Sequence, residues 1–303
     1  MDQLFKTLPI APLLLKNGGV DRNMCSLNSN LQILRHIPEF IAELRQLQNT
    51  SELIISLSSV LSHCGSYQST SALLLRENLA RATGRDFNSG AQNDTVELLS
   101  YLLDHSSSKL FYFNTSSEYR FWINSSAVVC PTCDHFPDTV PGSDKILRLT
   151  LPRSFTNLSL NYLLERHFQI QIQSEGRRCE FCSLQNVHSP KLPYKEKLNF
   201  QKNPQYLLIQ LIRMNFIGGK TMKNSSAVHL PNTINVDKYH YSVIGTISHM
   251  GSAQVGHNRA YLKHGSKWYL CEDSKFPIER KPIDSLSEQN YCILLKRCYD
   301  AYF

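Results

Sequence analysis

The sequence predicts an α+β protein with helices first and antiparallel sheet afterwards, and three observations carry that prediction. Leucine and isoleucine recur at helical spacing through the first third of the chain, from Cys25 to about Leu47 and again beyond it. From Phe111 onward the texture changes to short runs rich in Phe, Tyr, Val and Ile. No Pro- or Gly-rich linker, internal repeat or low-complexity tract divides the 303 residues, and a hydrophobic content of 42% suffices for a substantial core.

In the helical part, Leu27, Leu31, Leu34, Ile37, Ile41 and Leu44 form one apolar stripe, flanked by Ile33 and Phe40 and broken by Pro38. A second helix is expected over about Glu52–Ser62. A third runs from Asp94 to Leu103 through Val96, Leu98, Leu99 and Leu102. Strands are expected at Phe121–Ile123, Lys145–Leu149, Tyr206–Ile212, Tyr241–Ile247, Asn258–Lys263 and Tyr291–Leu295, with one helix among them at about Asn157–His167. Asn49-Thr50-Ser51 and Asn114-Thr115-Ser116 fit a glycosylation acceptor pattern and read as loop residues, because the N-terminus carries no secretion signal.

No run of 18 apolar residues exists, which argues against a membrane span. The net charge of +7 arises from scattered Lys and Arg, with local concentrations no longer than Arg177-Arg178, so a solvated surface explains it better than a nucleic-acid interface. Nine cysteines is an odd count, and it suits a reducing compartment better than a disulfide framework, so cytoplasm or nucleus is expected.

Four of those cysteines form two knuckles, Cys130-Pro131-Thr132-Cys133 and Cys179-Glu180-Phe181-Cys182. Each knuckle sets two thiolates on one side of a tight turn, and two knuckles complete a tetrahedral site. The expected group is a structural Zn2+, since four thiolates leave no open position for catalysis.

Cys25 is placed differently, at the start of the first helix. There the helix dipole and free amides favour a thiolate. A Gly256-His257 step and then Trp268 with the acidic pair Glu272-Asp273 follow much later in the chain. Thiol, imidazole and carboxylate in that order are the parts of a cysteine hydrolase: nucleophile, general base, and the group that holds the ring in its working tautomer.

These residues resemble the boxes of the ubiquitin-specific proteases, papain-like cysteine deubiquitinases with a helical thumb, a β-rich palm and zinc-ribbon fingers. Asn28, Ser29, Leu31 and Gln32 match the positions after the nucleophile. Gln92-Asn93-Asp94-Thr95-Val96-Glu97 matches a Gln-x-Asp-x-x-Glu box, and Pro204–Arg213 matches a strand ending in arginine. His249-Met250-Gly251-Ser252 with Gly256-His257 resembles the histidine box, and Trp268–Ser274 the aspartate box.

The resemblance implies a thiol-dependent deubiquitinase that hydrolyses the isopeptide or peptide bond after the C-terminal Gly-Gly of ubiquitin. The implied domain covers 16–298 after an extension over 1–15, with fingers at about 111–215. Cys25, His257 and either Asp273 or Glu272 would be catalytic, Asp273 being favoured on reach. Gln92, Asp94 and Glu97 would bind the basic tail of ubiquitin, the last two from one helix face.

The chain departs from the family around the site. Val20 stands where an oxyanion-stabilising Asn is usual, which leaves Asn23 and the helix amides as oxyanion-hole candidates. Arg22 replaces a Gly, Ser26 an aromatic residue, and Asn258 the Tyr that normally follows the histidine. These departures open two further readings: a catalytically weak or inactive ubiquitin-binding or scaffold protein, and a protease for another modifier such as SUMO or NEDD8.

Overall fold

A computed structural model describes residues 23–47, 51–62, 69–87, 93–124, 126–135, 140–152, 157–236, 239–273, 275, 277–280 and 289–298. Val20, Arg22 and Gln92 lie outside these, as do Asn49 and Thr50. The chain divides into two compact units. The first holds residues up to Phe111, Lys145–Leu160 and Pro204 onward; the second holds Tyr112–Asp144 and Asn161–Asn203.

In the first unit the leading apolar stripe forms two helices, α1 (Cys25–Arg35) and α2 (Pro38–Gln46), broken where Pro38 starts the second. Proline is tolerated there because the first-turn N–H has no intrahelical partner. Next come α3 (Glu52–Ser62), α4 (Ser69–Thr83) and α5 (Thr95–Ser106). Helix α4 is an element the sequence reading omits. Ala72, Leu75 and Leu79 are its fully buried apolar positions, a narrow stripe flanked by the partly buried Leu73 and Ala80 and interrupted by polar residues and the exposed Leu74.

Helix α5 begins one residue later than expected because Asp94 is its N-cap, with Oδ1 accepting from the amides of Val96 (2.8 Å) and Glu97 (2.9 Å). The two acids therefore do not sit side by side on a helix face. Asp94 turns back over the first turn, and its second oxygen accepts from the Tyr291 hydroxyl.

Against these helices lies a sheet of β4 (Ile146–Thr150), β8 (Tyr206–Ile212), β12 (Thr233–Val236), β13 (Tyr239–Gly251), β14 (Gly256–His264), β15 (Lys267–Cys271), β16 (Ile278–Arg280) and β17 (Asn290–Arg297). Their order is β16-β15-β14-β13-β17-β8-β4, with β12 alongside β13, and β9 (Met214–Ile217) and β10 (Lys220–Lys223) form a separate two-stranded ladder. Pairing is antiparallel except β4 with β8, which run parallel. A hairpin forces antiparallel neighbours, but a long excursion separates these two in the chain, which frees their direction. A second parallel pair joins β5 (Asn157–Ser159) to β11 (Ala227–His229), so the expected helix starts only at Leu160, as α6 (Leu160–Phe168).

One apolar cluster joins the helices to the sheet, including Leu31, Leu34, Phe40, Leu99 and Leu103 with Leu208, Ile247, Ala260, Leu262 and Leu294. Helix α1 lies at its centre, all eleven residues buried. Two of its polar side chains bond to the start of α5: Asn30 Nδ2 donates to the Thr95 carbonyl at 2.8 Å, and Ser26 Oγ to the Asn93 carbonyl at 2.8 Å. Buried polar groups need such partners, and these bonds also fix the helix N-terminus against the start of α5.

The second unit is a five-stranded sheet of β2 (Ser126–Val128), β1 (Phe113–Ile123), β7 (Leu192–Lys202) and β6 (Gln171–Arg177), with β3 (Val140–Asp144) also on β1. Asn114–Ser116 lies within β1, paired to β3 and β7, and so is strand rather than the loop expected of it. The short helix α7 (Glu180–Leu184) carries the second cysteine knuckle. Among the described residues no helix is long and apolar enough to cross a membrane.

Candidate active site

Cys25 is the first residue of α1, 4% exposed, and no side chain caps the helix ahead of it. The chain enters through Asn23 at φ 40°, a left-handed turn that Asn tolerates better than most residues. No acidic residue stands in the first turn to compete for the helix amides. A negative charge on the sulfur therefore meets the positive end of the helix.

Across from it, β13 and β14 form a hairpin in which Met250 pairs with His257 and Gly251 with Gly256. Gly256 is required by a close approach: a Cβ there would lie 2.2 Å from His249 Nε2 and 2.5 Å from the Met250 carbonyl oxygen. Lys223 holds the same hairpin from outside, its Nζ donating to the carbonyls of His249 (2.6 Å) and Gly251 (3.0 Å). Nothing in the spacing of the sequence marks Lys223 for this task.

The His257 ring and the Cys25 thiol are close enough for each to shift the other's titration, and His257 Nε2 lies 3.2 Å from Glu272 Oε1 and 3.7 Å from Asp273 Oδ2. With Nε2 turned to the carboxylates, Nδ1 is the nitrogen left to face the sulfur. Two consecutive residues of a strand point to opposite faces, yet both acids reach one ring. Asp273 adopts φ 44°, and this left-handed turn after β15 brings both carboxylates to the same side. Asp273 is nonetheless the more distant, because its Oδ1 accepts a 2.7 Å bond from Asn28 Nδ2. The shorter side chain does not have the better reach here.

The charges agree with this division. Burial pushes the Cys25 thiol up, but the hydrogen bond from His257, the Asn258 amide and the imidazolium charge outweigh it and leave the thiol below its ordinary value. His257 is raised, first by its bond to Cys25, against burial and with help from the sulfur and both carboxylates. Burial also works against Glu272, yet the Lys275 ammonium at 3.1 Å brings it below the ordinary range. Asp273 is raised, chiefly by burial. The surroundings thus favour the charged form of Glu272, whereas burial works against the charge on Asp273.

Asp94 is occupied as described, by two helix amides and the Tyr291 hydroxyl. Glu97 is about half exposed, within 3.7 Å of Arg85 and 3.4 Å of the Tyr101 hydroxyl. In the second unit, Cys130, Cys133, Cys179 and Cys182 bring their four sulfurs within 4.8 Å of one another. Two cross pairs, Cys130–Cys182 at 3.8 Å and Cys133–Cys179 at 3.7 Å, match the edge of about 3.8 Å that a tetrahedron with metal–sulfur bonds of about 2.3 Å requires. The four cysteines could therefore hold a metal ion.

A buried thiol at a helix N-terminus, facing an imidazole from a sheet, defines the papain-like class of cysteine hydrolase folds. The family model for ubiquitin carboxyl-terminal hydrolase matches residues 15–295, and the chain belongs to that family. It is 25% identical over 181 residues to Ubl carboxyl-terminal hydrolase 18 of Mus musculus, covering 52% of this chain and 46% of that protein. It is also 25% identical over 292 residues to ubiquitin carboxyl-terminal hydrolase 36 of Drosophila grimshawi, covering 83% of this chain and 23% of the relative. The chain thus spans less than half the length of these curated relatives. Among solved structures it resembles the SAGA DUB module Ubp8/Sgf11/Sus1/Sgf73 bound to monoubiquitin, with TM-score 0.73, 17% identity, and coverage of 96% of this chain and 69% of that one. At that identity the likeness shows the fold alone.

Proposed function

We propose that this chain is a thiol-dependent ubiquitin hydrolase, cleaving the isopeptide or peptide bond that follows the C-terminal Gly-Gly of ubiquitin. The observation that carries the reading is the Cys25 thiol at the start of α1, with His257 beside it and Glu272 3.2 Å behind the ring. In this reading the Cys25 thiolate attacks the carbonyl carbon of the terminal glycine, forming a C–S bond as the carbonyl electrons move to oxygen. The oxyanion is received by amides at the start of α1, with Asn23 close by. Collapse breaks the C–N bond, and His257 gives its proton to the departing amine. Water then attacks the thioester, its proton passing to His257, and the C–S bond breaks to release the carboxylate and restore the thiolate. Glu272 holds the imidazole by Nε2 throughout, and Asp273 braces the acidic turn through Asn28.

Glu97, exposed near the start of α5, is assigned to the arginines of the ubiquitin tail, together with Gln92. Asp94, already committed within the fold, shapes that end of the helix. The four cysteines are assigned to a structural Zn2+, which fits their sulfur spacing and the softness of thiolate ligands; it would supply rigidity to the second unit. A reducing compartment, cytoplasm or nucleus, would keep Cys25 and these ligands reduced.

One observation favours a second reading of the substrate: a relative is named a Ubl hydrolase, so a ubiquitin-like modifier with a Gly-Gly end is the competing candidate. Cleavage of ubiquitin, SUMO and NEDD8 fused to a reporter amine, with the wild-type chain and with Cys25→Ala and His257→Ala, tests the proposal. Ubiquitin release that both substitutions abolish supports it; undiminished release by either variant contradicts it. Binding without release by the intact chain would favour a scaffold role.

A further inference from the structure

Ser26 and Asn258 are two of the departures from the family pattern that the resemblance implies, one beside the nucleophile and one beside the histidine. Both are buried, at 2% and 7% exposure, and they form a polar pair instead of a packed one. Asn258 Nδ2 donates to Ser26 Oγ at 3.0 Å and approaches Cys25 Sγ at 3.9 Å. Ser26 Oγ spends its single proton on the Asn93 carbonyl at 2.8 Å, so it can only accept from Asn258. That bond fixes which way the amide points and aims the second Nδ2 proton at the sulfur.

The arrangement has a cost. With Nδ2 turned to Ser26 and Cys25, Asn258 Oδ1 is buried with no hydrogen-bond partner among the described residues. An orphaned buried acceptor is destabilising and rare in folded proteins, and such groups collect at functional sites. The backbone amide of Asn258 also favours the charged form of the same sulfur. One residue thus acts twice on the atom that carries charge in a thiol hydrolase.

We propose that Asn258 is a catalytic residue of this chain, a donor to the Cys25 thiolate oriented by Ser26. The inference rests on Cys25 being the nucleophile, and it makes two of the four departures from the family pattern, Ser26 and Asn258, a matched replacement. A sulfur anion is a soft, weak acceptor, so a donor at 3.9 Å contributes less than a short charged hydrogen bond and acts mainly on the ease of forming the thiolate.

The test reads the thiol itself and needs no substrate. Alkylation of Cys25 by iodoacetamide is followed by peptide mass spectrometry from about pH 5 to about pH 10, for the wild-type chain, Asn258→Ala, Asn258→Asp and Ser26→Ala. The midpoint should move upward in Asn258→Ala, with alkylation near pH 7 slowed about fivefold, the worth of one hydrogen bond. It should move further in Asn258→Asp, where a charge replaces the donor, and by a smaller step in Ser26→Ala, where the donor loses its orientation. An unchanged midpoint in a folded Asn258→Ala overturns the proposal. If Asn258→Ala does not fold, Ser26→Ala decides: a raised midpoint supports the proposal and an unchanged one overturns it. Failure to cleave any modifier with the midpoint shift intact would instead count against the proposed hydrolase activity.

Discussion

Asn28 Nδ2 donates to Asp273 Oδ1 at 2.7 Å, joining the first turn of α1 to the turn that follows β15 across 245 residues of chain. The bond sets the distance between the nucleophile's helix and the acid-bearing turn. It also draws Asp273 away from the imidazole, leaving Glu272 as the nearer partner of His257. Glu272→Gln should therefore lower kcat by on the order of a hundredfold, and Asp273→Asn by less, because an amide in place of Glu272 no longer stabilises the imidazolium. Steady-state kinetics of both variants check this ordering, and equal losses or the reverse order would contradict it.

The pH dependence of kcat/KM follows from the Cys25–His257 pair. Cys25 is lowered from the ordinary thiol value and His257 raised, so the thiolate–imidazolium form occupies a window between two macroscopic transitions. Activity should rise as the thiol ionises on the acid side and fall as the imidazolium loses its proton above its ordinary value. Glu272→Gln should move the alkaline limb downward, since the nearer carboxylate then no longer raises His257. A bell unchanged by that substitution would show that Glu272 does not act on the ring.

Two other histidines bear on stability. Burial holds His249 at about 4, and it also holds His36, bonded to the Lys263 carbonyl, at about 4, against an ordinary 6.5. Because the folded values are depressed, the unfolded chain binds these protons first as the pH falls. Each histidine contributes stability that is full above about 6.5 and is lost as pH drops toward 4, up to about 3 kcal/mol for His36 and less for His249, which solvent screens more. Melting temperature followed across that range should fall steeply, and His36→Gln should flatten part of the slope.

Gly256→Ala tests the packing that aims His257. The added Cβ would stand 2.2 Å from His249 Nε2 and 2.5 Å from the Met250 carbonyl oxygen, so the hairpin must shift. Activity should fall by on the order of a hundredfold while the fold survives, because a displacement of about 1 Å at a catalytic group costs that much. Retained kcat would mean that the hairpin accommodates the methyl group without moving His257.

The cysteine cluster predicts a metal-dependent second unit. Cys130→Ser should reduce bound zinc and lower the melting temperature, as should a strong chelator, since a four-thiolate site is a folding element. Zinc content by mass spectrometry alongside thermal melting checks both, and unchanged melting in a zinc-free chain would contradict the structural assignment.

Much of this was legible in the sequence because its signals are local. The stripe from Leu27 to Leu44, the Pro38 break and the two Cys-x-x-Cys knuckles each lie within one element, where spacing fixes geometry. Cys25 at a helix start was legible for the same reason. What escaped depends on contacts between distant segments. Helix α4 was missed because its buried stripe of Ala72, Leu75 and Leu79 is narrow. The parallel β4–β8 pair reflects an excursion rather than any strand pattern. Glu272 outranks Asp273 only through Asn28, 245 residues from Asp273, and Ser26 and Asn258, far apart in the chain, become a pair only in the fold, where their side chains meet at 3.0 Å.

The most direct test is labelling of the purified chain by ubiquitin bearing a C-terminal thiol-reactive warhead, beside matching SUMO and NEDD8 probes and a Cys25→Ala control, read as a mass shift. The account expects a single ubiquitin adduct that Cys25→Ala eliminates. No adduct with any probe, in a chain shown to be folded and zinc-loaded, would contradict it.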